Sequence, residues 1–74
     1  MKPQHDILSH LRRYRLRVDL TQQELADRVG VTRQTILSIE KGKYSPTVGL
    51  ALRLGRELNV RVEELFELEG ENDD

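Results

Sequence analysis

At 74 residues the chain has room for one small domain, of a size that is marginal alone and often completed by oligomerisation. It holds no cysteine, which excludes disulfides, thiolate metal sites and thiol nucleophiles. The formal net charge is only −1, yet it is unevenly spread. Residues 1–18 carry five basic side chains against one acidic, residues 19–56 carry six against four, and residues 57–74 carry one against eight. A basic body with an acidic end suits nucleic acid far better than the net charge suggests. No apolar run approaches the roughly 20 residues that span a bilayer. The opening MKPQHDILSHLRR lacks the apolar core of a secretory signal, so a cytoplasmic location is expected.

In chain order, residues 1–5 are expected to be a flexible N-terminus, residues 6–67 the domain and residues 68–74 an acidic tail. A first helix is expected to start near Asp6, whose carboxylate suits the positive end of a helix. Ile7, Leu8, Leu11 and Tyr14 then form its inward stripe, with Arg12, Arg13 and Arg17 outside. His5 and His10 are five apart and share no helical face, so they form no metal pair.

The stretch QQELADRVGVTRQTILSIEK, Gln22 to Lys41, organises the rest. Thr21 can N-cap a helix, and Glu24 three residues on completes a capping box. Leu25, Ala26 and Val29 follow at helical spacing. Gly30 stops the helix where a left-handed residue costs least. Thr32 can cap a second helix from Arg33 to about Lys41, with Ile36 and Ile39 inward and Gly42 ending it. Two helices crossing through so short a turn approach closely, which the small Ala26 permits. Gln34, Ser38 and Lys41 then point away from Ile36, with Arg33 at the helix start. Amide, hydroxyl and cationic groups there are suited to reading base edges in a major groove.

The run TQQELADRVGVTRQTILSIEKGKYSPT resembles the helix-turn-helix of the phage-repressor (Cro-like) DNA-binding domains, and the resemblance extends from about Leu11 to Phe66. It implies an all-α domain of five helices that binds double-stranded DNA as a transcriptional regulator. It implies that Arg15 pairs with Glu40 on the second helix of the motif, a geometry in which a guanidinium holds a carboxylate through two parallel hydrogen bonds. It also gives Gln22, at the start of the first helix of the motif, a phosphate contact. Two positions depart from the family pattern. Asp19 stands where Gly is frequent, and Arg61 where Ser or Thr usually caps the last helix.

Beyond Gly42, the loop Lys43-Tyr44-Ser45-Pro46 leads to Thr47, an expected N-cap. A fourth helix is expected from Val48 to about Leu58, ended by Asn59. It carries Gly49 and Gly55, each costing about 1 kcal/mol against Ala. Gly55 falls where the family usually has Ala, which fits a close contact; Gly49 has no evident reason. A last helix is expected from Val62 to about Glu67. Glu63, Glu64 and Glu67 read as a solvated face rather than a metal or catalytic set.

The candidate base contacts are Arg33, Gln34, Thr35 and Ser38, and Leu37 is an apolar neighbour able to meet a thymine methyl. The candidate phosphate contacts are Arg12, Gln22, Thr32, Lys41, Lys43 and Tyr44. Leu52, Val62, Phe66 and Leu68 are the excess apolar surface, expected to form a homodimer interface. No cofactor, metal, small-molecule ligand or membrane partner is expected, nor any enzymatic activity. An antitoxin-like module that binds a partner protein and autoregulates its operon is the alternative; a purely protein-binding helical adaptor is the weaker one.

Overall fold

Three threonines start three of the helices in the same way. The hydroxyls of Thr21, Thr32 and Thr47 accept hydrogen bonds from the backbone N–H groups of Glu24, Thr35 and Leu50, each satisfying a donor that has no partner within its helix. At Thr21 the capping box is complete, with the Glu24 carboxylate accepting from the Thr21 N–H at 2.8 Å. These caps open α2 (Gln22–Val29), α3 (Arg33–Glu40) and α4 (Val48–Leu58). The stops are equally local. Gly30 (φ 77°), Gly42 (φ 74°) and Asn59 (φ 58°) take left-handed backbone after α2, α3 and α4. Asp19 also takes it (φ 58°), one of the few residue types besides Gly that tolerate it.

The structure is a computed structural model that describes residues 7–69. The flexible stretch expected for residues 1–5, the helix start at Asp6 and the part of the acidic tail at 70–74 lie outside the described residues. The five helices are present, but both ends of the domain differ from the expectation. Ile7–Ser9 is a strand, β1, and the first helix, α1 (Leu11–Arg17), begins four residues later than Ile7. The last helix, α5 (Val62–Leu65), is a single turn, and Phe66–Leu68 forms a second strand, β2. The two strands pair antiparallel, with Ile7 opposite Leu68 and Ser9 opposite Phe66.

The physical reason is shared by both errors. Ile7 and Leu8 fit a helical stripe and a strand equally well over so few residues, and only a partner decides between them. The partner lies at the other end of the chain. The His10 N–H donates to the Leu65 carbonyl at 2.8 Å, and the His10 ring and Glu67 carboxylate meet at 2.7 Å. Leu68, expected in the tail, is therefore in the sheet. Arg61 carries no acceptor and its side chain cannot cap α5; instead the Glu64 carboxylate reaches back to the Arg61 N–H at 2.9 Å.

The core is one cluster: Leu11 of α1, Leu20 of the following turn, Leu25, Ala26 and Val29 of α2, Ile36 and Ile39 of α3, Leu50, Leu54 and Leu58 of α4, and Leu65. Tyr14, Val31, Val60 and Phe66 pack against it. The Arg17 guanidinium lies 5.0 Å from the centre of the Tyr14 ring. Helix α4 is fixed across the carboxyl end of α2, where Arg53 Nε donates to the Val29 carbonyl at 3.2 Å. At Gly55 a Cβ would lie 2.8 Å from the Val60 carbonyl oxygen, so the close contact is with the turn that carries the chain from α4 into α5. A Cβ at Gly49 would meet only the end of the Arg53 side chain, at 3.7 Å; nothing in the structure requires glycine there.

Candidate nucleic-acid interface

Helix α3 is anchored by its inner side and offers its outer side to solvent. Ile36 and Ile39 are fully buried, whereas Arg33 and Gln34 are exposed and Thr35, Leu37 and Ser38 half-buried. Helical spacing sets this division, since Gln34 and Lys41 lie almost opposite the midpoint between Ile36 and Ile39. Lys41 closes α3 as its C-cap, one residue short of the expected end, and remains exposed, as does Lys43 beyond it.

Tyr44 folds back beside this face. Together with Thr32, Gln34, Thr35 and Ser38 it lines an open hollow of about 240 Å³. Tyr44 is 44% exposed, so it is a wall of the hollow rather than part of the core. The structure thus brings three candidate base contacts, Gln34, Thr35 and Ser38, together with two candidate phosphate contacts, Thr32 and Tyr44. The Thr32 hydroxyl is engaged as the cap of α3 and lies 3.1 Å from that of Thr35. Arg12 is exposed on α1, outside this hollow.

Beneath the face runs a chain of polar contacts. The Arg15 Nε donates to Glu40 Oε2 at 2.6 Å and an Arg15 terminal nitrogen to Glu40 Oε1 at 3.2 Å. The other terminal nitrogen of Arg15 donates to the Leu20 carbonyl at 2.8 Å. Both side chains are withdrawn from water, at 8% and 4% exposure. That burial is compatible with ionised groups because hydrogen bonds meet the guanidinium and carboxylate from several sides. Among the described residues no buried side-chain polar atom lacks a partner.

Gln22 extends this cluster outwards. Its Nε2 donates to Glu40 Oε1 at 3.0 Å, and its Oε1 accepts from the Arg33 guanidinium at 3.1 Å. Reading the sequence missed these two links. They join residues 18 and 11 positions apart across two helices, and no local spacing carries them; only the crossing of α2 and α3 brings them together.

The four residues expected to form a dimer surface divide into two pairs. Leu52 and Val62 line one shallow groove of about 530 Å³ between the end of α4 and α5, with Gly55, Arg56, Asn59 and Val60. Phe66 and Leu68 lie on β2, outside that lining. Leu52 and Leu68 are more than half exposed, at 59% and 55%, whereas Phe66 is half-buried against the core.

Comparison with known proteins agrees with this architecture. A helix-turn-helix family model matches residues 11–65, from the start of α1 to the end of α5. The chain is 52% identical over 60 residues to an uncharacterized HTH-type transcriptional regulator of Methanothermobacter thermautotrophicus, covering 80% of this chain and 87% of that protein. It is 47% identical over 58 residues to another of Archaeoglobus fulgidus, covering 78% and 83%. Among solved structures, the restriction-modification controller protein C.AhdI of Aeromonas hydrophila superposes with a TM-score of 0.68 at 28% identity, covering 73% of this chain and 78% of that one. No helix among the described residues is long and apolar enough to cross a membrane. With α2 and α3 as the two helices of its motif, the chain belongs to the helix-turn-helix family of Cro and phage-repressor type, whose members are DNA-binding transcriptional regulators.

Proposed function

We propose that the chain is a sequence-specific regulator that binds a palindromic operator in double-stranded DNA as a homodimer, in the cytoplasm and without cofactor or catalysis. The carrying observation is the outer face of α3, where Arg33 and Gln34 stand exposed at the capped end of a helix whose other side is fixed in the core. Arg and Gln can each make bidentate bonds to a purine edge, worth about 1–3 kcal/mol of discrimination. In this reading Thr35 and Ser38 complete the base contacts. Arg12, Gln22, Thr32, Lys41, Lys43 and Tyr44 meet phosphates.

One recognition helix covers few base pairs, and two-fold symmetry supplies a second set about 34–36 Å away. The groove of Leu52 and Val62 supports such pairing, because an exposed Leu52 and a half-buried Val62 share its lining with Arg56, Arg61 and Glu63. Two copies related by a two-fold axis can set these unlike charges against each other. The same groove would serve a different chain in an antitoxin-like module; co-purification of a second polypeptide favours that reading.

Selection from a random pool of double-stranded DNA tests the proposal. The selected sequence should be palindromic. Gln34→Ala should change which sequence is preferred, whereas Lys43→Ala should weaken every sequence and reduce the log–log salt slope by about 0.9. An unchanged preference with Gln34→Ala would refute the proposed orientation of α3. In sedimentation at micromolar concentration, Leu52→Asp should shift a dimer to monomer; a protein that is monomeric before substitution and still binds its operator tightly would refute the interface.

A further inference from the structure

We propose that the acidic segment 69–74 is a built-in competitor for DNA, which the terminal sheet delivers to Lys41 and Lys43 and which phosphates must displace. The proposal rests on the reading of those two lysines as phosphate contacts. After Leu68 the chain reads EGENDD, four carboxylates with no basic and no apolar side chain. With nothing apolar to bury, the segment offers charge alone. Where that charge is delivered is decided by the sheet. β2 runs from Phe66, opposite Ser9, to Leu68, opposite Ile7, so the acidic segment departs beside Ile7. The Ile7 carbonyl oxygen lies 3.8 Å from the place a Cβ would take on Gly42, the residue between the two lysines. Adding the width of one strand pair puts Leu68 within about 12 Å of Gly42. The six residues from Glu69 can span up to about 20 Å, enough to reach either lysine.

Both lysines are exposed, and among the described residues neither forms an ion pair. Glu67 meets His10 and stays with the sheet, which leaves the four later carboxylates for the lysines. One exposed contact between a carboxylate and an ammonium group is weak. A short tether raises the effective concentration of the segment to the order of millimolar, so it occupies the lysines whenever phosphates do not. It carries no base edges, so it weakens every DNA sequence alike and leaves preference untouched. A segment that acts only through net charge predicts no contact with these lysines.

The chain has three lysines, Lys2, Lys41 and Lys43, which makes the contact traceable. A carbodiimide joins a carboxylate to an amine with no spacer. In the free protein it should link residues 69–74 to Lys41 or Lys43 within one copy, and a duplex of unrelated sequence should suppress the link. Mixing heavy-isotope-labelled with unlabelled protein separates links within a copy from links between copies. In a second arm, Glu69→Gln, Glu71→Gln, Asp73→Asn and Asp74→Asn are combined. This variant should bind the unrelated duplex roughly three- to tenfold more tightly at about 50 mM salt. Its log–log salt slope should be steeper, because salt loosens the competitor in the unaltered protein as well as the DNA. Links confined to Lys2, links only between copies, or an affinity unchanged by the four substitutions would each overturn the proposal. Lys41→Ala and Lys43→Ala in the neutralised background test the phosphate reading separately. If neither lowers affinity, that reading fails and the competition with it, even where the links within a copy are present.

Discussion

The helix-turn-helix and the terminal sheet are built on opposite principles. In α2 and α3 each boundary is decided by a neighbour within four residues: a threonine hydroxyl at each start, and Gly30 or Lys41-Gly42 at each end. In β1 and β2 every boundary depends on residues about sixty positions away, through the pairing of Ile7 with Leu68 and the contact of His10 with Glu67. Local rules make an element recognisable in one dimension, whereas pairing across the whole chain leaves no local trace. The two regions should also differ in how they fail. The helix-turn-helix is tied to α1 by an Arg15–Glu40 charge pair shielded from water, and the sheet is held by backbone bonds and an exposed His10–Glu67 hydrogen bond.

The sharpest way to break this comparison is through Arg15 and Glu40. Removing one partner leaves the other buried and uncompensated, so Arg15→Ala or Glu40→Ala should cost about 3–5 kcal/mol in a urea titration. The double variant should cost less than the sum of the two. Strict additivity would mean that the pair does not couple α1 to α3. Next is Gly55→Ala, whose new methyl group would sit 2.8 Å from the Val60 carbonyl oxygen. A loss of about 1–3 kcal/mol is expected, as for other overpacked sites, and an unchanged melting midpoint would show that the α4–α5 turn yields freely.

Two smaller substitutions test the local rules directly. Thr21→Ala removes the hydroxyl of the capping box and should lower stability by about 1 kcal/mol, read as a lower melting temperature. Gly49→Ala meets nothing closer than 3.7 Å and should raise stability by roughly 0.5–1 kcal/mol; a decrease would reveal a need for glycine that the contacts do not explain. The smallest change is expected in the sheet. Glu67 is more than half exposed, so Glu67→Gln should cost under about 0.5 kcal/mol. A loss as large as that of Thr21→Ala would erase the distinction between the two regions.

Legibility in the sequence followed the same division. The bounds of α2 and α4, the start of α3, the left-handed Asn59 and the burial of Ile36 and Ile39 could be read from caps, stops and spacing. The family pattern directed attention to Arg15 and Glu40, which lie 25 residues apart. The strands could not be read, because Ile7-Leu8 and Phe66-Glu67-Leu68 are each too short for their period to distinguish strand from helix. Phe66, expected among the excess apolar surface, stands on β2 and is half-buried against the core. The links of Gln22 to Glu40 and Arg33 required the helix crossing itself.

The pairing of Ile7 with Leu68 also makes the described chain nearly a closed ring. Its two ends leave side by side, so a short linker could join them and new ends could be opened in the exposed loop around Ser45. In that rearranged chain the two strands would become consecutive, and the contact that now spans the longest loop would become a hairpin. The entropy of bringing the strands together would fall accordingly, while the contacts within α2 and α3 would be unaltered. Order along the chain, rather than the set of contacts, would then decide which end of this domain forms first.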